Sequence, residues 1–509
     1  MPAANISAED RSLQLKVVTA LAVYFAVHAV LRALSGDALG NDEAEQVFIS
    51  TGFRLGYYMA PPLYQWLQVA FFRTLGTNLW ALGLLNNALF FFFYLFVFLS
   101  ARIYFESARL AAVAALSLLL VPEIVWESQR DETHTVLAMA AAAATLYVLM
   151  RVLRERATWS YVALGIALGL GFLSKYNYVC FAAAAFAALL LKAESRRALF
   201  DPRIALTLAI GAAVALPHVF WWLAHRPPVL HASETGKLDP FHHHALFSLV
   251  ANTFKLLAPM SLVVLWFSAS SLPRRWRTAA HGRSFHIGAY LIAAVGVVAV
   301  LVIAVNISDI QQHWLVPLLF VAPLYFVGYV HPEEIGGRRW TAFLALVGSV
   351  LVFIPAGLVV YRTGLGASYF GVTHYPFGML AKQLEERHLE RGLLITDKLQ
   401  MAGNLRYHFP GAAISVVGID ERALANVKPG ETVTVVWQPA RRPTPPPALD
   451  TFIRDRIDPA LLDTPVEIVY NPAYGRAGYP AMGAGLLVLP ELPPAVSNRL
   501  AARAAGGIR

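Results

Sequence analysis

Apolar residues gather in blocks of about 20 along most of the chain, a length that crosses a lipid bilayer as a helix. The blocks cover residues 15–34, 79–103, 107–122, 134–152, 159–174, 177–192, 203–223, 246–269, 285–305, 313–330 and 340–361. The pattern predicts a mainly α, polytopic membrane protein with about 11 transmembrane helices, of which the third, fifth and sixth are short. The first block exceeds the roughly 7 to 15 apolar residues of a secretion signal, so we expect it to remain as a span.

Beyond residue 361 the pattern changes to short apolar runs that are bounded by Gly, Pro or Asp. Most of these runs are rich in β-branched residues, which favours buried strands. They are Gly392–Thr396, Ala412–Val417, Thr432–Trp437, Val466–Tyr470 and Gly485–Leu489. A helical pattern occupies Lys398–Phe409 between the first two. The chain therefore divides into a predicted membrane domain over 1–361 and a small α/β domain over 362–509.

Charged residues make up only 14% of the chain and are distributed unevenly among the loops. The basic residues concentrate in alternate loops, at Arg102, Arg109, Arg151, Arg154, Arg156, Lys192, Arg196, Arg197, Arg203, Arg274, Arg275, Arg277, Arg283, Arg338 and Arg339. Because basic loops stay in the cytoplasm, we expect the N-terminus inside and, with an odd number of spans, the α/β domain outside. The net charge of +9 thus reflects loop asymmetry and indicates no nucleic-acid partner.

The single cysteine, Cys180, excludes an intrachain disulfide and a cysteine-based metal site.

The first outer loop, residues 35–78, is longer than a simple connector requires. It carries Asp42 and Glu43 near its start, and Leu63–Leu75 has the spacing of an amphipathic helix that lies in the membrane interface. The two acids allow two interpretations. They form either a helix N-cap with a solvated acidic first turn or a pair of catalytic carboxylates.

The second outer loop places further ionisable groups at the mouth of the fourth span, among them Asp131 and His134. Such groups are costly at membrane depth and tend to be functional. The alternative is again a helix N-cap, with Arg130 paired locally.

Three potential cations lie at or within predicted spans: Lys175, Lys255 and His313. Lys175 is either a snorkelling lysine between interfacial tyrosines or a ligand for a lipid-linked phosphate. Lys255 falls inside the block 246–269 and needs a partner or a ligand there. His313, next to Trp314, fits an aromatic belt as well as a site.

Several of these residues occur in short motifs that resemble the C-type glycosyltransferases of the protein mannosyltransferase and lipid A aminoarabinose transferase type. The motifs are Asp42-Glu43, Gly56-Tyr57-Tyr58, Pro61-Pro62-Leu63, Leu173-Ser174-Lys175-Tyr176 and His313-Trp314-Leu315-Val316-Pro317. The resemblance covers roughly the first 330 residues in order and topology. Asp-Glu combined with Pro-Pro-Leu is its most specific part.

The resemblance implies a sugar donor carried on a polyprenyl phosphate, used without a nucleotide. Asp42 maps to the family's catalytic acid, and Glu43 stands beside it. The expected phosphate-binding cations are Lys175, Lys255 and His313. The residues expected to shape the site are Tyr58, Pro61, Tyr64 and Tyr176.

A divalent metal ion is also implied, with Asp131 and His134 as the expected ligands. The sequence departs from the family just before Pro61, where members often carry an acid followed by His or Lys. Met59 and Ala60 stand there instead. Glu43, Glu132 or His134 are the residues able to replace the missing ligand.

The sequence therefore predicts an inverting hexosyl- or pentosyltransferase of the bacterial inner membrane, with a periplasmic α/β domain and a lipid or cell-envelope glycan as acceptor. A transporter or lipid-linked-sugar flippase is the main alternative, and a non-catalytic scaffold is the second. Neither alternative explains the long acidic loop. No repeated halves of the kind common in transporters occur in the sequence.

The loop charges generate a topology prediction. In a Cys180→Ala background, cysteine introduced at Asp450 reacts with an impermeant thiol reagent in intact spheroplasts, whereas cysteine introduced at Arg277 reacts only after permeabilisation. The reverse labelling pattern contradicts the orientation.

Overall fold

The computed structural model describes residues 8–57, 60–225, 243–268, 285–305, 307–365, 371–438, 444–473 and 477–506. The first two-thirds of the described chain is helical. Its helices are α1 (Ala8–Leu34), α2 (Asn41–Ile49), α3 (Leu63–Leu75), α4 (Leu79–Phe105), α5 (Ala108–Ser117), α6 (Ser128–Asp131), α7 (His134–Glu155), α8 (Thr158–Phe172), α9 (Tyr178–Leu190), α10 (Ala193–Leu199), α11 (Ile204–His225), α12 (His243–Ser268), α13 (Ile287–Val305), α14 (Gln312–Leu319), α15 (Ala322–Val327) and α16 (Gly337–Thr363).

Seven helices of the described chain are long and apolar enough to cross a membrane, namely α1, α4, α7, α11, α12, α13 and α16. An eighth span results if Ala108–Leu120 and Glu123–Asp131, which meet at a bend of 71°, cross together. The polytopic class is thus confirmed, but the count of about 11 is not.

The difference has local causes. The predicted spans at 159–174 and 177–192 correspond to α8 and α9, which have only 15 and 13 residues. The predicted span 313–330 is divided between α14 and α15, where Pro317 and Pro323 interrupt the backbone hydrogen bonding of a continuous helix.

Small residues allow close helix packing within the membrane part. A Cβ atom added to Gly165 of α8 would lie 2.7 Å from the Thr207 carbonyl oxygen of α11, and one added to Gly169 would lie 2.6 Å from Val214 Cβ. The Thr207 hydroxyl also donates a hydrogen bond to the Tyr161 carbonyl at 2.8 Å. Such close approach is the main source of helix association in a bilayer, where apolar burial gives little driving force.

The C-terminal region forms a five-stranded mixed sheet with helices, as predicted. Its elements are α17 (Phe377–Glu386), β1 (Leu393–Thr396), α18 (Leu399–His408), β2 (Ala413–Val416), β3 (Val433–Trp437), α19 (Pro447–Phe452), β4 (Glu467–Pro472), β5 (Ala481–Leu489) and α20 (Pro494–Gly506). The strand order is β2-β1-β3-β5-β4. Strand β1 is parallel to β2 and β3, and β5 is antiparallel to β3 and β4.

The sheet is held by a buried apolar core. Trp437 is fully buried, and its ring occupies the space that a Cβ atom at Gly485 would need, at 2.3 Å. Leu393 and Val435 are also fully buried in the same core, together with Phe452 from α19. Strands β1 and β3 are buried along their whole length and are mostly apolar, because both faces of the sheet's centre are covered.

The chain forms two compact units that are not contiguous in sequence. One comprises 1–30, 54–64 and 83–356, and the other comprises 31–53, 65–82 and 357–509. Helix α2 and most of α3 therefore belong to the unit that holds the C-terminal sheet. The functional domain boundary at 361/362 stays a prediction.

Helix α2 packs directly on α18 within that second unit. A Cβ atom at Gly403 would lie only 2.0 Å from the Ala44 carbonyl oxygen, so the contact requires glycine. The Asn404 side chain accepts a hydrogen bond from the Leu39 backbone N–H at 2.9 Å. Leu39 is fully buried, with Val47 and Leu82 beside it. The acidic loop is thus anchored on the α/β domain.

This contact generates a stability prediction. Gly403→Ala should lower the free energy of unfolding by about 1–3 kcal/mol, because its methyl group meets a backbone carbonyl that cannot rotate away. Thermal unfolding of the detergent-purified protein measures the effect. Gly411→Ala, whose Cβ atom meets nothing within 4 Å, is the matched control. Equal melting temperatures for the two variants would contradict the packing.

Candidate active site

Helix α2 begins with the two acids that the sequence analysis selected. Glu43 forms a bidentate ion pair with the buried Arg32, with Nε–Oε1 at 2.6 Å and Nη2–Oε2 at 2.5 Å. Its carboxylate also accepts a hydrogen bond from the Gly40 backbone N–H at 3.1 Å. Glu43 therefore caps the helix N-terminus, while Asp42, partly exposed, is the next residue toward that terminus.

The environment of Glu43 keeps it ionised. Burial acts to raise the pKa of Glu43, but the Arg32 guanidinium, assisted by Arg362 and the Gly40 N–H, outweighs it and holds the pKa below its usual value. A carboxylate engaged in this way orients its helix and is a poor proton acceptor.

Glu45 is a third acid of α2 that the sequence analysis did not select. Burial, reinforced by the negative charge of Asp42, raises the pKa of Glu45 to about 8. The spacing of Asp42 and Glu45 in the sequence could have indicated this residue, because residues three apart lie on the same face of a helix. Asp42 and Glu45 thus form one acidic face in which one carboxyl group is protonated near neutral pH.

In the other unit, a short turn between α8 and α9 carries Lys175 and Tyr176. A Cβ atom at Gly171 would lie 2.0 Å from the Tyr178 ring, so glycine allows the turn to close tightly. The Tyr178 hydroxyl lies 2.6 Å from Thr145 Oγ1 on α7. The Leu63 backbone N–H donates to the Leu173 carbonyl at 3.1 Å, which connects the turn to the Pro-Pro-Leu motif.

Lys175 and His134 lie together at this turn. Lys175 Nζ donates to Thr135 Oγ1 at 2.7 Å, and His134 Nδ1 is 3.5 Å from the Ser174 carbonyl oxygen. The rings of His134 and Tyr64 are 5.3 Å apart. The structure therefore brings three of the selected residues to one place.

Tyr176 belongs to an aromatic stack on the neighbouring helix α11. Its hydroxyl is 3.3 Å from His218 Nε2, and His218 stacks on Trp221 at 5.9 Å. His218 Nδ1 is 2.8 Å from the Leu55 carbonyl oxygen, which holds the first loop against α11. Pro61 is buried in the same loop, and Tyr58 lies outside the described residues.

The acids that could hold a metal ion differ from those selected by sequence. Among the described residues, one group has ligand atoms that all lie within 4.8 Å of one another, formed by Glu123, Glu132 and His313. Neither Asp131 nor His134 belongs to it. Glu132 was considered in the sequence only as a substitute ligand. Glu123 was not selected, although it lies in the same acidic outer loop as Asp131.

Lys255 lies on α12, where its side chain is exposed and Nζ is 3.4 Å from Asn252 Oδ1. It lines a cavity of about 590 Å³. The other charged or titratable residues of that cavity are Glu123, Glu127, Arg130, Glu132, His244, Asp309 and His313. Lys255 lies in the middle of α12, one of the candidate spans, as the sequence predicted. Its side chain faces the same cavity as His313.

Comparisons with known proteins agree with the fold and these motifs. The chain is 32% identical to the lipopolysaccharide core galacturonosyltransferase RgtB of Rhizobium johnstonii, over 77% of this chain and 81% of RgtB. It is 28% identical to the galacturonosyltransferase RgtA of the same organism, over 87% of this chain and 89% of RgtA. The family model for dolichyl-phosphate-mannose-protein mannosyltransferase matches residues 59–221.

The fold is also similar to a solved structure, ArnT from Cupriavidus metallidurans bound to undecaprenyl phosphate. The TM-score is 0.58 at 15% identity, covering 92% of this chain and 97% of ArnT. The architecture of a helical membrane part followed by a small mixed sheet is therefore shared along nearly the whole of both chains.

These observations define a membrane glycosyltransferase. The chain belongs to the family that contains RgtB. The transporter alternative is not supported.

The raised pKa of Glu45 generates a prediction about pH. A carboxyl group whose pKa is higher in the folded state stabilises the fold most at low pH, and this contribution is lost as pH rises from its usual 4.5 toward about 8. In Glu45→Gln, the melting temperature should therefore fall less between pH 5.5 and pH 9 than in the unmodified protein. Glu385→Gln, at an exposed position of α17, should leave the pH dependence unchanged. Identical curves for all three proteins would contradict the shift.

Proposed function

We propose that this enzyme transfers galacturonic acid from a polyprenyl-phosphate donor to the core or lipid A region of lipopolysaccharide, on the outer face of the bacterial inner membrane. The observation that carries the proposal is the similarity to RgtB at 32% identity across most of both chains. RgtA, named for the same activity, extends this similarity to 87% of the chain. The sugar is thus a hexuronic acid and the acceptor a glycolipid.

The proposed reaction is a single displacement. An acceptor hydroxyl attacks the anomeric carbon, Asp42 takes the hydroxyl proton as general base, and the bond from the anomeric carbon to the phosphate oxygen breaks. The polyprenyl phosphate leaves with the bonding electron pair, and the configuration at the anomeric carbon inverts. Glu43 holds α2 in place through Arg32 and is a positioning residue.

The leaving phosphate needs cations, because it is dianionic after transfer and lies beside the bilayer. Lys175 is the best-supported phosphate-binding residue, because its hydrogen bond to Thr135 fixes it at the turn that also carries Tyr176. Lys255 lines the charged cavity and is a further candidate. His313 lines it too, but burial, with Lys175 acting in the same direction, lowers the pKa of His313 to about 4, so its imidazole is neutral near pH 7. Tyr176, which is partly exposed, offers a ring surface at this turn, whereas Tyr64 is fully buried against His134.

The substrate test uses purified protein with lipopolysaccharide that lacks galacturonic acid. Polyprenyl-phosphate galacturonic acid, polyprenyl-phosphate aminoarabinose and the nucleotide UDP-galacturonic acid are supplied separately, and the product is read by mass spectrometry. Transfer is expected from the first donor alone. Transfer of aminoarabinose alone would contradict the sugar, and transfer from the nucleotide in the absence of polyprenyl lipid would contradict the donor class.

The same assay tests the base. Asp42→Asn should lower turnover on the order of 100-fold or more, the scale expected for a lost general base. Asp37→Asn removes an exposed acid of the same loop and should leave turnover unchanged. Near-normal turnover of Asp42→Asn, with an unchanged melting temperature, would remove Asp42 from the mechanism.

A further inference from the structure

Glu123 is a buried acid without an evident partner. It begins a π-helical turn, Glu123–Glu127, immediately after Pro122, and only 8% of its surface is exposed. Its side chain borders the cavity that Lys255 also lines. Within the described ranges, no residue makes a hydrogen bond or an ion pair to its carboxylate. An ionised carboxylate in such a place is strongly unfavourable unless a cation compensates it.

Two further ligand atoms face the same point. His313 Nδ1, at the start of α14, lies 3.5 Å from Glu132 Oε1. The other carboxylate oxygen of Glu132 accepts a hydrogen bond from the Ser128 hydroxyl at 3.1 Å, which fixes its orientation. Ligands arranged tetrahedrally at about 2.1 Å from a metal ion are roughly 3.4 Å apart. The pair is therefore already at metal-binding separation, and Glu123 closes the site by a small side-chain movement.

The cations nearest to Glu123 have partners of their own. Arg130 Nη2 pairs with Glu127 Oε2 at 2.8 Å, and Lys255 Nζ bonds to Asn252. Neither lies within ion-pair distance of Glu123 in the part of the chain that the structure describes. Arg130 and Lys255 therefore act on the Glu123 carboxylate only by attraction at longer range, without a direct ion pair.

We propose that Glu123, Glu132 and His313 bind a divalent transition-metal ion, Zn²⁺ or Mn²⁺. One imidazole nitrogen with two carboxylate oxygens favours these ions over Mg²⁺ or Ca²⁺, which prefer oxygen ligands alone. Three protein ligands leave at least one coordination position open toward the cavity. This site differs from the pair Asp131 and His134 that the sequence suggested.

The site has a place in the proposed function. An ion held there would present positive charge to an anionic group that enters the cavity that Lys255 also lines. Only this role rests on the proposed function. The binding of the ion does not, because it is measured without donor or acceptor.

The test measures metal binding directly. Protein purified through a tag without histidine is stripped with EDTA and titrated with Zn²⁺, Mn²⁺, Mg²⁺ and Ca²⁺. Isothermal calorimetry gives the affinity, and the electron paramagnetic resonance of Mn²⁺ reports nitrogen ligation. One Zn²⁺ or Mn²⁺ per chain is expected, with much weaker Mg²⁺ and Ca²⁺. Glu123→Gln and His313→Gln should each weaken binding by more than the 10- to 100-fold that loss of an outer-shell partner costs.

Two residues of the same cavity provide matched controls. Glu127→Gln removes an acid from the same π-helical turn, and His244→Gln removes a histidine that lies near Asp309, at 3.8 Å. Both should keep the affinity of the unmodified protein. If Glu123→Gln does not fold, as judged by thermal unfolding, Glu132→Gln takes its place. Absence of binding at millimolar metal, or equal losses in the ligand and control variants, would overturn the proposal.

Discussion

Ionised side chains at the edge of a bilayer must be compensated, and this constraint is met separately within each of the two compact units. The Arg32–Glu43 pair has two short hydrogen bonds and a buried guanidinium, so removing either partner leaves an uncompensated charge. Lys175 is held by Thr135, and Glu132 by Ser128. Glu123 has no such partner in the described chain, and this makes it informative about a ligand.

The positions of these charges depend on glycine residues that permit close backbone approach. Gly403 lets α2 rest on α18, and Gly171 lets Tyr178 close the turn that carries Lys175. In the first case the acids of α2 are fixed by packing on α18, and in the second Lys175 is fixed in the turn between α8 and α9.

The two interpretations of the Asp42-Glu43 pair turn out to be compatible. Helix α2 does have an acidic N-terminus, but its cap is Gly40, and Glu43 is the residue that bonds to the cap N–H. Asp42 is the preceding residue, and it shares a helix face with Glu45. The helix dipole and the Arg32 charge stabilise the acids collectively, while desolvation of Glu45 keeps their total charge low.

Local patterns were sufficient for the membrane class, for the five strands of the C-terminal sheet and for the motifs that indicate a glycosyltransferase. Periodicity and span length depend only on residues that are close in sequence, and so they can be recognised from a single sequence. The number of spans was not predictable in the same way, because Pro317 and Pro323 divide an apolar run that looks continuous, and α8 and α9 are too short to count as spans. The metal-binding group could not be predicted from the sequence either. Glu123, Glu132 and His313 come together only when a helix bends by 71° and α14 packs beside it, and no spacing along the sequence records that approach.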